Sequence, residues 1–404
     1  MKHAVTTSPW IPFALPTRGK TEAWAGRYQR QQRLRLLAFL GHQTALRALT
    51  RWHTAAGAPS EARPKPAQLR AVQQRYQRLL ERDQAHVRAG AYPAEMLFTA
   101  PNPALWRLTP ALAREAWRNL GRRARGGYRE LDAALQPENY PAYYRRNFHW
   151  QSGGYLTAES AELYDWSVEL LFVGMADAMR RQVLPSIAAT HRQQRQQSHR
   201  APLSVLDVGC GTGRTLGMMR RLWPDAQLYG IDLSPAYIAY AAQALHGPPV
   251  APRLSKPRPP QAYARGAPEA ELPAGRDVEL RVGSAESLPY PAESFDVVTS
   301  TFVMHELPGR VRQQVLRECA RVLRPGGSLV LLDAAQAHDG ADILDLLRAF
   351  PARFHEPFFD RYLDDALEDV CQTVGLRPAP AEDVYVAKLL CAFKSGAHSR
   401  SRSH

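Results

Sequence analysis

The most specific chemical signal lies near the middle of the chain, in Val205-Leu206-Asp207-Val208-Gly209-Cys210-Gly211-Thr212-Gly213-Arg214-Thr215. The apolar run from Val205 to Val208 predicts a buried parallel strand. It ends in Gly209, Gly211 and Gly213 at spacing G-x-G-x-G, and a helix carrying Leu216, Met219 and Leu222 follows. A strand, a glycine turn and a helix let the backbone approach a nucleotide closely and aim helix N–H groups at it. Glycine is required where a Cβ would meet the ligand or where the turn needs a positive φ. The next apolar run, Gln227 to Ser234, contains Asp232, 25 residues after Asp207. An acid at the tip of the second strand can accept hydrogen bonds from both hydroxyls of a ribose. This spacing does not itself say which nucleotide is bound.

Val205–Gly213, as V-L-D-V-G-C-G-T-G, resembles motif I of the class I S-adenosylmethionine (SAM)-dependent methyltransferases, and it lacks the G-x-G-x-x-G of nicotinamide-binding domains. Four further segments are similar to that family in the same order: Gly230–Ser234, Gly283–Tyr290, Ser294–Val298 and Arg321–Gly327. The likeness covers about half the chain, Leu203 to Phe393, and is nearest to the broad group that includes quinone-biosynthesis enzymes. It implies an α/β fold with a Rossmann-like, mostly parallel sheet, a last strand running antiparallel, and helices on both faces. It also implies SAM as cofactor, with Asp207, Gly209, Cys210, Gly211, Gly213, Asp232, Leu233, Ser284, Ala285, Glu286 and Ser300 around it. Ser284 departs from the family pattern, which places at that point an Asp that contacts the adenine amino group. A hydroxyl offers a hydrogen bond there but no charge.

The segment after the fourth strand, Thr301 to Pro308, should face the transferable methyl, because ligands of open parallel sheets bind beyond the carboxyl ends of the strands. SAM is already reactive, so the protein mainly positions the nucleophile and in some cases removes a proton. His305 is the candidate proton acceptor, with an ordinary pKa near ~6.5; the bland alternative is a histidine that only shapes the pocket. Glu306 reads as a helix-start acid. No N/D-P-P-Y/F segment or Pro-Cys pair follows the fourth strand, which disfavours nucleic-acid amino and pyrimidine methylation. Farther on, Phe350–Phe359 is aromatic-rich and suits an acceptor-side wall, with His355 and Glu356 as its polar groups or as plain loop residues.

The elements that position these groups come with an extension. The first 200 residues hold 30 of the 52 Lys and Arg but only 14 of the 38 Asp and Glu. This basic half reads either as solvated helical faces or as a surface for an anionic partner such as nucleic acid or lipid. Helices are expected over 21–52, over the stripe Leu69, Val72, Tyr76, Leu79 and Leu80, and after Thr109-Pro110 with Leu112, Ala116, Trp117 and Leu120 inward. Residues 139–156 are dense in aromatics and contain Gly153-Gly154. In the related enzymes a segment just before motif I folds over the cofactor. Phe148–Tyr155 is in place for such a lid, with Tyr155 nearest the cofactor, and packing of the helical region onto the sheet is the alternative. Four cysteines without C-x-x-C spacing suggest neither zinc nor a disulfide framework, and hence a reduced, cytoplasmic setting. No apolar run reaches the length of a membrane span. The arginine-rich start leaves organellar targeting open.

The sequence therefore divides into a helical extension over 1–135, an aromatic lid segment, helix and polar linker over 136–200, and a methyltransferase domain over 201–394. A proline-rich insertion expected to be disordered occupies 246–277, and a Ser/Arg/His tail occupies 395–404. The expected activity is methyl transfer from SAM to a small-molecule acceptor by in-line displacement. Methylation of RNA or protein through the basic half, and SAM binding without turnover, are the alternatives. The acceptor, the role of residues 1–135, the use of a general base and the oligomeric state are not fixed by the sequence.

Overall fold

The computed structural model describes residues 23–54, 65–98, 108–197, 202–246 and 278–396. The expected loose start, the linker after residue 54, nearly all of the proline-rich insertion and most of the tail lie outside the described residues.

One sheet organises the chain. Its strands are β1 Ser204–Val208, β2 Gln227–Asp232, β3 Glu279–Val282, β4 Phe295–Thr301, β5 Leu323–Ala334, β6 Leu376–Pro378, β7 Glu382–Val384 and β8 Ala387–Lys394. Their spatial order is β3-β2-β1-β4-β5-β8-β6, with β7 paired to β8. The first five strands pair in parallel; β8 runs antiparallel to β5, β6 and β7. The order reverses between β1 and β4, and a crevice opens at such a switch point beyond the strand ends. Because side chains alternate across a strand, neighbours divide between two cores. Val205, Leu228, Val297 and Val330 join one cluster, and Leu206, Tyr229, Val298 and Leu329 join the other.

Twelve helices surround the sheet among the described residues. The extension and its continuation contribute α1 Ala23–Thr54, α2 Pro66–Arg88, α3 Thr109–Arg125, α4 Ala158–Leu171, α5 Ala176–Arg181 and α6 Val183–Gln197. The domain contributes α7 Arg214–Leu222, α8 Pro235–His246, α9 Gly309–Val322, α10 Leu344–Phe354, α11 Phe359–Asp364 and α12 Leu367–Thr373. Helices α2, α5, α6, α7 and α8 cover the first face, and α9, α11 and α12 the second. His246 Nε2 at the end of α8 lies 3.2 Å from the Val278 carbonyl before β3, so these two residues lie side by side.

Buried charge, as well as apolar contact, holds the helices of the extension together and joins them to the domain. Asp83 of α2 is fully buried and accepts from Tyr28 Oη (2.5 Å), Tyr92 Oη, the Arg181 guanidinium and Gln182 Nε2 (3.1 Å). Four donors satisfy a carboxylate that would be costly to bury alone. Arg75 of α2 donates to Asp342, to the Asp339 carbonyl and to the Tyr385 carbonyl, and Arg82 pairs with Glu382 at 2.5 Å. Part of the positive charge of the first half is thus neutralised by acids of the second.

Several local expectations need correction. Of the polar linker read over 190–200, the described residues 190–197 are the last turns of α6, and Thr190 Oγ1 lies 2.7 Å from Ser328 Oγ of β5. Trp117 points outward, 52% exposed, while Glu115 and Arg122 of the same helix are buried. Leu69 is likewise exposed at the outer edge of the α2 stripe. The last strand is divided: Tyr385, at φ 60, turns β7 back onto β8.

Candidate active site

The glycine turn joins β1 to α7 as the sequence requires. Gly209, Gly211 and Gly213 have φ of 69, 53 and 75°. A Cβ on Gly209 would sit 2.5 Å from Val303 Cγ2, so the turn can lie against the β4 loop only because that atom is missing. A Cβ on Gly211 would meet nothing nearer than Tyr237 Cδ1 at 4.0 Å, so this glycine faces open space. Beside it, Asp232 Oδ2 accepts from the Gly211 N–H and Oδ1 from the Ser234 N–H, each at 2.9 Å. Burial pushes the Asp232 carboxyl up to about 6, held back by the backbone N–H groups of Ser234, Gly211 and Leu233. Two bonds leave a carboxylate with acceptor capacity for two hydroxyl donors. An open glycine turn and an acid with unused acceptor capacity fit a ribose and the chain attached to it.

The other expected pocket residues are placed as follows. Asp207 is buried in β1, accepts from Thr299 Oγ1 at 2.7 Å, and is raised to about 7 by burial. The Cys210 side chain is buried against the sheet, where burial pushes its thiol up. Ser300 donates its hydroxyl to the Val208 carbonyl at 2.9 Å, which commits it to holding β4 to β1. Ser284 Oγ accepts from the Glu286 N–H at 3.2 Å, and Ala285 packs on the second core. Glu286 accepts from Tyr143 Oη at 2.9 Å.

That last bond belongs to a wider arrangement. The aromatic segment 139–157 crosses the strand ends and touches each in turn. Tyr143 reaches Glu286 after β3, the Tyr155 carbonyl accepts from Ser234 Oγ after β2 at 2.5 Å, and Tyr155 Oη donates to Glu306 after β4 at 2.6 Å. Tyr155 stacks on Phe148 at 5.2 Å and meets Tyr237 edge-on at 5.6 Å. Thr157 caps α4 by accepting from the Ser160 N–H. Helix α4 then lies along the glycine turn, where Thr212 Oγ1 donates to Asp165 at 2.8 Å. Asp177 of α5 binds Arg214 at the start of α7 at 2.9 Å; despite burial, Arg214 and Arg180 hold its carboxyl down near about 2. The segment and the two helices after it therefore roof the crevice.

His305, the candidate proton acceptor, is buried and paired with an acid. Its Nδ1 lies 2.6 Å from Asp333 Oδ1 at the end of β5. Burial lowers its pKa, but Asp333 outweighs burial and raises it to about 9. That shift favours the charged ring, and Asp333 also accepts the Val303 and Met304 N–H groups. Glu306, read as a helix-start acid, instead turns into the crevice. With His149 and Glu356 it forms a cluster that sequence reasoning missed: His149 Nε2 lies 3.6 Å from Glu306 and 3.2 Å from Glu356. Burial raises the Glu356 carboxyl, and the two glutamates raise His149 despite its burial. The three lie 50 to 207 residues apart in the chain, so no spacing could have joined them. His355, next to Glu356, stacks outward on Tyr128 at 4.8 Å.

Behind this cluster lies a cavity of 350 Å³ between α1, α3 and α4. Leu112, Leu163, Val168, Leu171 and Phe354 give it an apolar wall. His149, Ser160 and Tyr164 line it and also border the crevice.

Residues 206–331 match the family model described as a methyltransferase domain. A demethylmenaquinone methyltransferase of Listeria welshimeri is 33% identical over 134 residues, 33% of this chain and 45% of that protein. That of Thermotoga maritima is 29% identical over 173 residues, 43% of this chain and 57% of that protein. The chain thus spans about half the length of these curated relatives. Among solved structures, an O-methyltransferase family protein from Burkholderia thailandensis aligns at 16% identity and a TM-score of 0.42, covering 75% of each chain. Magnesium protoporphyrin IX methyltransferase of Synechocystis PCC 6803, with SAM bound, aligns at 16% identity and 0.34, covering 54% of this chain and 81% of that one. Among the described residues no helix is long and apolar enough to cross a membrane.

Proposed function

From the premise that this chain carries a class I SAM-dependent methyltransferase domain, we propose that it methylates a small acceptor with an apolar, aromatic body, of the quinol class. The observation that carries this reading is the apolar cavity whose wall is shared with the crevice through His149, Ser160 and Tyr164. Ligand pockets of this kind are apolar with a few polar groups at one end. The relatives' names point to the same class, since they act on demethylmenaquinone.

The cofactor supplies an activated methyl group when bound, so the chain's own task is to hold and orient. Asp232 holds the ribose hydroxyls, and the glycine turn gives the remainder of that ligand a surface without side chains. The Tyr155 and Phe148 rings exclude water over the crevice. Helices α1, α3 and α4 seat the acceptor body, and Glu306, Glu356 and His149 meet its polar end. Protonated His305 fixes the β4 loop through Asp333 and takes no proton at neutral pH.

The test uses the full chain with methyl-labelled SAM and a short-chain demethylated naphthoquinol. Labelled quinol product is expected. Ala116→Trp, which fills the cavity from α3, should raise the KM for the quinol several-fold and leave SAM affinity unchanged. Absence of label from quinols, or an Ala116→Trp protein with an unaltered KM, refutes this acceptor assignment.

A further inference from the structure

We propose that His149, Glu306 and Glu356 form a binding site for a first-row divalent transition cation at the acceptor end of the crevice. One ligand atom from each residue lies within 4.8 Å of the others. His149 Nε2 stands 3.2 and 3.6 Å from the two carboxylates. Ligands about 2.0–2.1 Å from a tetrahedral ion are about 3.3 Å from one another, so the three need little movement to close on a cation.

Glu356 supplies an independent indication. Its side chain is fully buried, and neither carboxylate oxygen accepts a hydrogen bond. A buried carboxylate without donors is costly unless paired or bound to a metal. Among the described residues, the ion-pair partner of Glu306 and of Glu356 is His149 alone. A second cluster in the same protein shows the contrast. His338, Asp339 and Glu368 have a similar arrangement, but buried Lys388 places its ammonium 2.8 Å from each carboxylate. That cluster holds a permanent ammonium, whereas in the first the balancing group is the titratable His149 ring.

The donor set identifies the kind of ion. One imidazole and two carboxylates suit zinc, manganese, iron or cobalt better than the all-oxygen cages of calcium and magnesium. Three protein ligands leave a coordination position open. The site adjoins the cavity through His149, so that position falls to the polar end of whatever the cavity holds. The role, though not the existence, of the site rests on the methyl-transfer reading: a cation there orients an acceptor hydroxyl and favours loss of its proton to water.

Cobalt(II) is the probe. Full-length protein stripped with a chelator should take up one equivalent and develop the visible absorption of a low-coordinate cobalt centre. Glu356→Gln and His149→Ala should each weaken uptake by about 100-fold or more, beyond the 10- to 100-fold of outer-shell changes. Glu368→Gln, at the lysine-filled cluster, should leave uptake unchanged. The two site variants act independently, so poor folding of one leaves the other to decide. Stripped wild-type protein that takes up no cobalt, or uptake indifferent to both site variants, overturns the site. Quinol methylation by cobalt-free protein unable to bind the ion would remove the site and leave the proposed function standing. Cobalt uptake without any methylation would do the reverse.

Discussion

Asp232→Asn tests the cofactor cradle most directly. The carboxylate sits at the tip of β2 with two backbone bonds of 2.9 Å, to Gly211 and Ser234. Two ribose hydroxyls would add charge-assisted hydrogen bonds, each contributing about 1.5–3 kcal/mol net. The amide keeps one oxygen and no charge, so one such bond is lost and the other is reduced to neutral strength. The expected loss in SAM binding is about 2–4 kcal/mol, or roughly 30- to 1,000-fold in Kd. Isothermal calorimetry with SAM on wild type and variant measures it. There is a pH signature too. The folded carboxyl titrates at about 6 against an ordinary 3.8, because burial disfavours its charge. Its raised folded pKa means that ionised Asp232 costs folding free energy above about pH 6 and costs none below about pH 4. Hydroxyl donors favour the ionised form, so wild-type SAM affinity should fall as pH drops through 6. The variant should lose that component. A folded Asp232→Asn protein with wild-type affinity at pH 7.5 would refute the assignment of this acid to the ribose.

Three further outcomes are expected. Gly209→Ala should cost about 2–5 kcal/mol in urea unfolding, from the positive φ and the collision with Val303; adding Val303→Ala should recover at least about 1 kcal/mol, and strict additivity would disprove the collision. Tyr155→Phe, which removes only the bond to Glu306, should lower turnover several-fold with little change in melting temperature, whereas Tyr155→Ala should lower both; normal turnover in both variants would end the lid role. Asp83→Asn should destabilise the chain by about 3–5 kcal/mol, because Arg181 would remain buried without its counter-charge; an unchanged melting temperature would mean that α2 is not held to α5 through this pair.

The glycine turn and the acid beside it were legible in the sequence because they are close in the chain. A glycine turn between one strand and one helix, and an acid at the end of the next strand, are local geometry. The apolar runs that became β1, β2, β4 and β5 likewise state their own burial, since central parallel strands are covered on both faces. What the chain could not show was any pairing across long separations. His305 was readable as a candidate base, but its partner Asp333, 28 residues on, was not readable. Glu306 was readable as a capping acid until Tyr155, 151 residues earlier, proved to donate to it. The cluster of His149, Glu306 and Glu356, and the cavity behind it, draw on five separate stretches of chain. The sequence determines which segments must be buried or turned. The charge, proton and ligand states of a side chain depend on what folding brings within a few ångströms of it, and those neighbours are set by the tertiary structure alone.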